Sequence, residues 1–412
     1  MKNVTGARCP LCNKTYEAVP TLTTCTCGGI LEVEYDYDYV KAHLSRSSLR
    51  ENADPSMWRY RALLPVEEDT LPPPLRVGGS PLYPAPRLAK ALGIQTLYIK
   101  DDGVNPTASL KDRASSLAVA KAQEAGAKTV ACSSTGNAAS SLAGNAAAAG
   151  LESYIFVPSR APKGKIAQLL VFGAHVITVD GTYEETFALS KEAIKKYGWY
   201  NRNAAINPYL SEGKKTVSLE IAEQLCWKIP DFVALSVGDG CTIAGVWKGF
   251  KDLYALGLID RLPRLLSVQA AGCCPLNRAI AEGKPWYPME ENTLADSIAV
   301  GVPRNAEKAL AAIRESNGVV VNVTDEEILA AMTLLGRTQG VFGEPAGVTG
   351  TAGLKKALEQ GLIPPTASAV TIVTGSGLKD TANAIAAAGA PMLVKPHLED
   401  LLAAFAQRHL TP

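Results

Sequence analysis

Histidine, net charge and long apolar runs are all scarce in this sequence of 412 residues. It has only four histidines, none of them in a recognisable motif, which argues against a His-based triad or a His-rich metal site. Lysine and arginine number 41 against 40 acidic residues, so nothing favours binding to nucleic acid or to an acidic membrane. No apolar run approaches the roughly 18 residues that a membrane helix needs.

Residues 1–9 also have no apolar segment of the kind that secretory signals carry. The nine cysteines of so long a chain do not suggest a disulfide framework, and they fit free thiols or metal ligands in a reducing compartment. We therefore expect a cytoplasmic protein that acts on a small molecule, with neither nucleic acid nor membrane as a partner.

The chain divides into three regions by composition. Residues 1–35 are rich in cysteine and threonine and predict a small head. Residues 36–77 predict an arm and linker, because they include the proline-rich stretch Pro65–Pro74. Residues 78–412 predict the main body, since the chain is too long for one compact unit and most of this stretch follows a single pattern.

That pattern alternates short β-branched runs with polar loops and alanine-rich segments. The runs expected to form strands are Thr129–Cys132, Tyr154–Val157, His175–Val179, Phe232–Val237, Val319–Val323 and Ala369–Val373. Capping-box patterns predict helices after Thr182 and Thr324, and Glu344-Pro345 is interpreted as a structural helix start. The alternation predicts an α/β fold of mostly parallel sheets covered by helices.

Three polar loops, Ser133–Asn137, Gly238–Thr242 and Thr374–Gly377, directly follow predicted strands. Ligands of such folds gather at the carboxyl ends of the strands, although any one of these loops alone is an ordinary connector. The Gly238–Thr242 loop precedes a predicted helix, whose first amides and the Thr242 hydroxyl suit a phosphate. The loop matches neither the G-x-G-x-x-G motif of dinucleotide-binding proteins nor the Walker loop of nucleotide-binding proteins. We therefore expect a small phosphorylated cofactor.

Lys111 lies among small polar residues at a predicted helix start, within Asn105–Arg113. A lysine forms a useful imine only if part of it is neutral, which burial and nearby positive charge favour. On spacing alone, an exposed lysine paired with Asp112 is the simpler interpretation, because most lysines are exposed.

Four segments resemble motifs of one enzyme family. Pro106–Arg113 is similar to the lysine motif Pro-Thr-Gly-Ser-Phe-Lys-Asp-Arg of fold-type II pyridoxal-phosphate (PLP) enzymes, and Ser133–Asn137 to their Ser-Ser-Thr-Gly-Asn loop. Thr374–Asp380 resembles the carboxy-terminal signature of threonine synthases, and Gly79–Leu82 resembles the Gly-Asn-Thr-Pro-Leu segment. The four follow the family's order, so the chain resembles the threonine-synthase-like branch of the two-lobed fold-type II (tryptophan synthase β-like) enzymes.

The resemblance implies roles for the three loops and the lysine. Lys111 would hold PLP as a Schiff base and serve as acid and base, while Asn137 would meet the phenolic oxygen of PLP. Thr374 would meet the pyridine nitrogen, and a hydroxyl there disfavours transamination relative to elimination and replacement. The residues that would cradle the cofactor's phosphate are Gly238, Asp239, Gly240, Cys241 and Thr242.

The resemblance also implies a reaction and a substrate contact. Ser134 and Thr135 would contact the carboxylate or distal anion of an amino acid. The reaction of the family branch converts O-phosphohomoserine to threonine and phosphate by γ-elimination and β-addition of water. A mobile lobe of roughly residues 114–205 would close over the substrate, and a homodimer is expected.

One segment departs from the family's pattern. Where threonine synthases carry Asn-Ser-x-Asn-Pro-x-Arg, with polar side chains that help to hold the substrate's phosphate, this chain has Ala204, Ala205 and Leu210. Loss of an arginine that binds a dianion is not a neutral change. The lysines that could replace it are Lys163, Lys165, Lys214 and Lys215.

This departure leaves two further functions open. One is a related PLP lyase or replacement enzyme with another substrate, such as a dehydratase, an ammonia-lyase or a phosphoserine-using synthase. The other, more remote, is a non-enzymatic adaptor that acts through its head; the intact lysine and phosphate loops count against it.

The head contains Cys9-x-x-Cys12 and Cys25-x-Cys27, a pattern that resembles a zinc ribbon. Four thiolates supply the tetrahedral set that structural Zn²⁺ prefers. Because Cys25-x-Cys27 is one residue tighter than the usual spacing, four free thiols are the alternative.

Overall fold

The computed structural model describes residues 1–159, 163–204 and 206–409. The strands in this part of the chain are β1 (Val4–Arg8), β2 (Thr15–Tyr16), β3 (Glu32–Tyr35), β4 (Leu82–Pro84), β5 (Thr96–Asp101), β6 (Thr129–Ser133), β7 (Glu152–Pro158), β8 (His175–Val179), β9 (Tyr200–Asn201), β10 (Phe232–Ser236), β11 (Arg264–Ala270), β12 (Val319–Val323) and β13 (Ser368–Val373). The helices are α1 (Tyr37–His43), α2 (Arg46–Glu51), α3 (Pro86–Leu92), α4 (Lys111–Glu124), α5 (Asn137–Ala148), α6 (Lys163–Val171), α7 (Tyr183–Tyr197), α8 (Tyr209–Gln224), α9 (Cys241–Ala255), α10 (Pro275–Glu282), α11 (Ala306–Glu315), α12 (Asp325–Gln339), α13 (Pro345–Glu359), α14 (Thr381–Ala388) and α15 (Leu398–Gln407).

Two parallel sheets form the body of the protein. The larger has the order β12-β11-β10-β13-β5-β4, and only its edge strand β4 runs antiparallel to its neighbour. The smaller has the order β8-β7-β6-β9, and all its neighbours are parallel. The predicted α/β class is confirmed, and both predicted capping boxes start helices, α7 and α12. The smaller sheet falls within the predicted lobe of residues 114–205, whose movement stays a prediction.

Glycines let helices α4, α8 and α9 approach each other closely. A Cβ added at Gly213 of α8 would lie 2.2 Å from the carbonyl oxygen of Arg113 on α4. A Cβ added at Gly249 of α9 would lie 2.1 Å from Ser218 Oγ on α8. The three helices therefore pack closely. The amino-terminal ends of α4 and α9 lie at the same edge of the large sheet, because the two helices follow its parallel strands β5 and β10.

A buried charge network fixes α4 against its neighbours. Glu220 of α8 accepts hydrogen bonds from Arg113 Nη1 at 2.6 Å and from Lys100 Nζ at 2.6 Å. Arg113 Nε also donates to Asp102 at 2.7 Å. Burial alone would raise the pKa of Glu220, but the charges of Arg113 and Lys100 outweigh burial and lower that pKa to about 2. Since every charge in this network has a partner, burial is tolerated.

The amino-terminal head forms its own antiparallel sheet, in the order β2-β1-β3, and packs on the body. The Tyr209 hydroxyl, at the start of α8, donates to the carbonyl of Val19 at 2.6 Å. Lys248 of α9 donates to the carbonyl of Val33 at 2.9 Å. The head therefore contacts the same helices that carry residues of the cavity described below. Among the described residues, we find no helix with both the length and the apolar character needed to span a membrane.

Candidate active site

A cavity with a volume of about 460 Å³ opens at the carboxyl ends of β6, β10 and β13. Strand-to-helix loops form much of its wall, because parallel strands all deliver their loops to the same edge. The residues with predicted site roles that line it are Lys111, Ser134, Thr135, Asn137, Gly238, Asp239, Gly240, Cys241, Thr242 and Thr374. The structure therefore brings together residues as far apart in the sequence as Lys111 and Thr374.

Lys111 is the first residue of α4, and the preceding loop is tied to the loop that follows β13. The backbone N–H of Leu110 donates to the carbonyl of Thr374 at 2.8 Å, and that of Ser376 donates to the carbonyl of Ala108 at 3.0 Å. Ala108 has a φ of +67°, in the left-handed region that favours glycine. The glycine that the family pattern has at this position would relieve that strain.

Asp112 holds the loop before Lys111 instead of pairing with the lysine. Its carboxylate accepts from the backbone N–H and the hydroxyl of Thr107, both at 2.8 Å, and from Asn145 at 3.0 Å. Lys111 itself is half-buried at the cavity wall. The simpler interpretation of an exposed lysine paired with Asp112 is therefore wrong.

The surroundings of Lys111 favour its neutral form. Burial, followed by the nearby charge of Lys214, lowers the pKa of the Lys111 ammonium to about 8. Glu344 opposes this shift. A lysine in this state has a substantial neutral fraction near pH 8 and can act as a nucleophile and as a base.

The Gly238–Thr242 loop presents the amino-terminal end of α9 to the cavity. Gly240 has a φ of +89°, and an added Cβ would lie 2.9 Å from the carbonyl oxygen of Asn305. The carboxylate of Asp239 accepts from the N–H of Arg304 at 2.8 Å and from Asn305 Nδ2 at 2.5 Å. Asp239 therefore orders the loop through its side chain, and the backbone amides of the first helical turn are the groups suited to an anion.

On the opposite wall, Asn137 begins α5 and donates from Nδ2 to Glu344 Oε1 at 2.6 Å. Glu344 immediately precedes α13, as expected for a structural helix start, but it also lines the cavity and acts on Lys111. The purely structural interpretation of Glu344 was therefore incomplete. No sequence signal separates it from other helix-starting residues.

In the segment that departs from the family pattern, Ala204 lines the cavity and Leu210 is fully buried. Ala205 lies outside the described residues, as do the side chains of Lys163 and Lys165. Lys215 is bound to Glu212 and Asp252, each at 2.7 Å, and does not line the cavity. Lys214 does line it, and so does Arg202, which sequence reasoning did not single out.

In the head, the four predicted metal ligands form a single cluster. The sulfurs of Cys9, Cys12, Cys25 and Cys27 all lie within 4.8 Å of one another. The Cys9–Cys27 and Cys12–Cys25 sulfur pairs are each 3.5 Å apart. Tetrahedral Zn²⁺ with bonds of about 2.3 Å would set its sulfur ligands roughly 3.8 Å apart, so the cluster has the right size.

Comparison with known proteins gives a consistent result. Residues 74–375 match the family model described as "Pyridoxal-phosphate dependent enzyme". The chain is 42% identical over 391 residues to a threonine synthase of Methanocaldococcus jannaschii, covering 94% of this chain and 96% of that relative. It is 41% identical to a threonine synthase of Methanosarcina acetivorans, over 95% of this chain and 96% of that one.

Solved structures share the fold at lower identity. Threonine deaminase isoform 2 from Solanum lycopersicum matches with a TM-score of 0.63 and 24% identity, over 76% of this chain and 88% of that chain. Diaminopropionate ammonia lyase from Escherichia coli matches with a TM-score of 0.64 and 19% identity, over 75% and 86% of the two chains. At these identities the likeness bears on the fold alone.

Proposed function

The chain belongs to the pyridoxal-phosphate-dependent enzymes, and we propose that it is a threonine synthase, which converts O-phosphohomoserine and water to threonine and phosphate. The observation that carries this proposal is the similarity to threonine synthases over nearly the whole chain. The cavity supports it chemically, because a lysine with a lowered pKa lies in the same cavity as an anion-binding helix start.

The cavity fits PLP. The first amides of α9 and the Thr242 hydroxyl would hold the phosphate of PLP, where a side chain at Gly240 would not fit. Asn137 would meet the phenolic oxygen, and Thr374 the ring nitrogen. When bound, PLP withdraws electrons from the attached amino acid and makes its Cα proton acidic.

Lys111 performs the proton transfers of the proposed reaction. It removes one proton each from Cα and Cβ as phosphate leaves from Cγ, and it then delivers a proton to Cγ. The hydroxyl of water adds at Cβ, the other proton of that water leaves with phosphate, and Lys111 returns a proton to Cα. Ser134 and Thr135, in the loop that precedes α5, orient the substrate's carboxylate. Movement of residues 114–205 relative to the rest excludes bulk water until the addition step.

The proposal extends to the setting of the enzyme. None of its nine cysteines is in a disulfide, which supports a reducing compartment such as the cytoplasm. A homodimer is proposed from the family resemblance. The head would hold one structural zinc ion through Cys9, Cys12, Cys25 and Cys27, and it would brace α8 through the contact of Val19 with Tyr209.

Removal of zinc should lower the thermal unfolding midpoint of the PLP-loaded protein, because a structural metal contributes its binding free energy to folding. The measurement compares chelator-treated and untreated protein, together with metal content. Cys12→Ser should lose the metal, whereas Cys226→Ser, at an exposed cysteine outside the cluster, should keep it. Less than one zinc per chain together with an unchanged midpoint would show that the four thiols are free.

The pKa of Lys111 predicts how PLP attachment depends on pH. After removal of the cofactor, the attachment rate should rise about tenfold per pH unit and level off above pH 8, since only the neutral amine is nucleophilic. The rate can be followed by the absorbance of the cofactor. For comparison, a free lysine side chain has a pKa of about 10.4, so its rate of reaction with PLP would keep rising up to that pH. A rate that still rises steeply at pH 10 would contradict the lowered pKa.

The function is tested with a panel of amino acids given to purified, PLP-loaded protein. O-phosphohomoserine should be consumed much faster than serine, threonine or O-phosphoserine. Faster turnover of one of the others would favour the related lyase or replacement enzyme, with Ala204 and Leu210 as marks of its different substrate.

A further inference from the structure

Two cationic side chains in the cavity lack an anionic partner. Arg202 is 2% exposed, and among the described residues its side chain makes a single hydrogen bond, from Nε to Ser115 Oγ at 3.1 Å. Its Nη2 is buried without a hydrogen-bond partner. Lys214 is 3% exposed, and no hydrogen bond or ion pair joins its ammonium to any described residue.

Other buried cations of this fold, beginning with the neighbouring Lys215, are paired with carboxylates. Lys215, the next residue of α8, is fully buried and held by two carboxylates, those of Glu212 and Asp252. Arg113 and Lys100 are likewise buried and share Glu220. Since a buried cation without a counter-charge is strongly destabilising, Arg202 and Lys214 point to a ligand that supplies negative charge.

The carboxylates of the cavity do not pair with these two cations. Asp239 accepts from the N–H of Arg304 and the side chain of Asn305, and Glu344 accepts from Asn137. In the part of the chain that the structure describes, no ion pair within 4.0 Å joins Arg202 or Lys214 to any carboxylate that lines the cavity, namely those of Glu184, Asp239, Glu291, Asp296 and Glu344.

Both cations lie close to the reaction centre. The charges of Lys214 and of Arg202 each act on Lys111, and Arg202 itself lies within electrostatic range of Cys132 and Cys241. Those two cysteines pack in the same apolar cluster as Leu210, the residue that stands where the family pattern has arginine. The guanidinium of Arg202 therefore lies near Leu210, the position at which the family pattern has an arginine.

We propose that Arg202 and Lys214 form the site for the phosphate group of the substrate. The inference rests on the proposed function and names the residues that replace the missing arginine. Two cations match a phosphate monoester dianion better than a carboxylate, and an arginine adds directional hydrogen bonds. The phosphate of PLP has its own donors at the start of α9, so the two cations are available for a second anion.

Adjacent lysines provide a matched stability test on the PLP-loaded protein. Lys214→Met should raise the thermal unfolding midpoint measured without added phosphate, because it removes an uncompensated buried charge. Lys215→Met should lower it, because Glu212 and Asp252 then lose their partner. A lower midpoint for Lys214→Met would mean that Lys214 already has a structural role, and would overturn the proposal.

Phosphate binding provides the direct test. Titration calorimetry of the PLP-loaded protein with inorganic phosphate should detect one site per chain. Lys214→Met and Arg202→Gln should each weaken phosphate binding, and raise the KM for O-phosphohomoserine, by roughly ten- to hundredfold. Lys251→Met, at an exposed lysine near the far end of α9, is the control and should leave both unchanged.

The affinity of the variants for PLP shows whether the two cations hold the phosphate of the substrate or the phosphate of the cofactor. If the variants bind PLP normally but inorganic phosphate weakly, the site serves the substrate. If they lose PLP affinity, the cations hold the cofactor's phosphate and the proposal is overturned, as it is if phosphate binding does not change. A further outcome separates the anion site from the proposed function. If the wild-type protein binds phosphate and the variants do not, but O-phosphohomoserine is not turned over, the anion site is supported. The proposed substrate is then refuted in favour of another phosphate ester.

Discussion

Replacing Lys111 with alanine should abolish turnover and leave PLP bound only non-covalently. The lysine has two tasks in the proposed chemistry, since it attaches the cofactor and transfers protons at Cα and Cβ. Proton transfer alone accounts for about 10²–10⁴-fold in a typical enzyme, and losing the attachment adds to that. We therefore expect a fall in kcat of at least about 10³-fold.

The measurement has a covalent readout that does not depend on activity. Borohydride reduction followed by peptide mass analysis should place PLP on Lys111 in the wild-type protein and on no residue in Lys111→Ala. Lys214→Ala is the matched control, because it removes another lysine of the same cavity and should keep the label on Lys111. A label on Lys214, or an active Lys111→Ala variant, would remove Lys111 from the mechanism.

Replacing Glu220 with alanine should destabilise the protein by about 3–5 kcal/mol, because it leaves Arg113 and Lys100 buried with too few partners. The same carboxylate also accepts the N–H of Gly79 at 2.8 Å, so the segment before β4 loses an anchor. The free energy of unfolding in urea is the quantity to measure. Because Arg113 lies two residues after Lys111 on α4, weaker PLP retention should accompany the loss.

An exposed ion pair is the control for this prediction. Glu359→Ala removes the partner of Lys355 at the surface, where such pairs contribute only about 0–1 kcal/mol. A similar small effect for Glu220→Ala would mean that water reaches the network and compensates its charges. Glu220→Gln, which keeps the size and some hydrogen bonds of the side chain, should lie between the two.

Much of the fold was predictable because it follows from patterns local to the sequence. All six expected strands are present, and β8 and β12 have the bounds that the β-branched runs predicted. The strand β5 gave no such signal, because it ends in Lys100 and Asp101, residue types that normally mark the surface. Lys100 is buried there only because Glu220 comes from a distant helix.

The candidate site likewise has parts that the sequence predicts and parts that depend on the fold. The loops after β6, β10 and β13 were predictable, since small polar residues that follow strands of a parallel sheet meet at one edge. The anion site was predictable only as a choice among four lysines. The sequence does not separate Lys214 from Lys215, because the two carboxylates that bind Lys215 are brought to it by the fold. Arg202 lies in no motif, and its role depends on the folding of β9 beside β6.

The decisive measurement is of the products that purified, PLP-loaded protein forms from O-phosphohomoserine. We expect one threonine for each phosphate released, with a KM that rises when Lys214 is replaced by methionine. Absence of phosphate release, while the cofactor spectrum still responds to other amino acids, would contradict this expectation and identify the protein as a related PLP enzyme with another substrate.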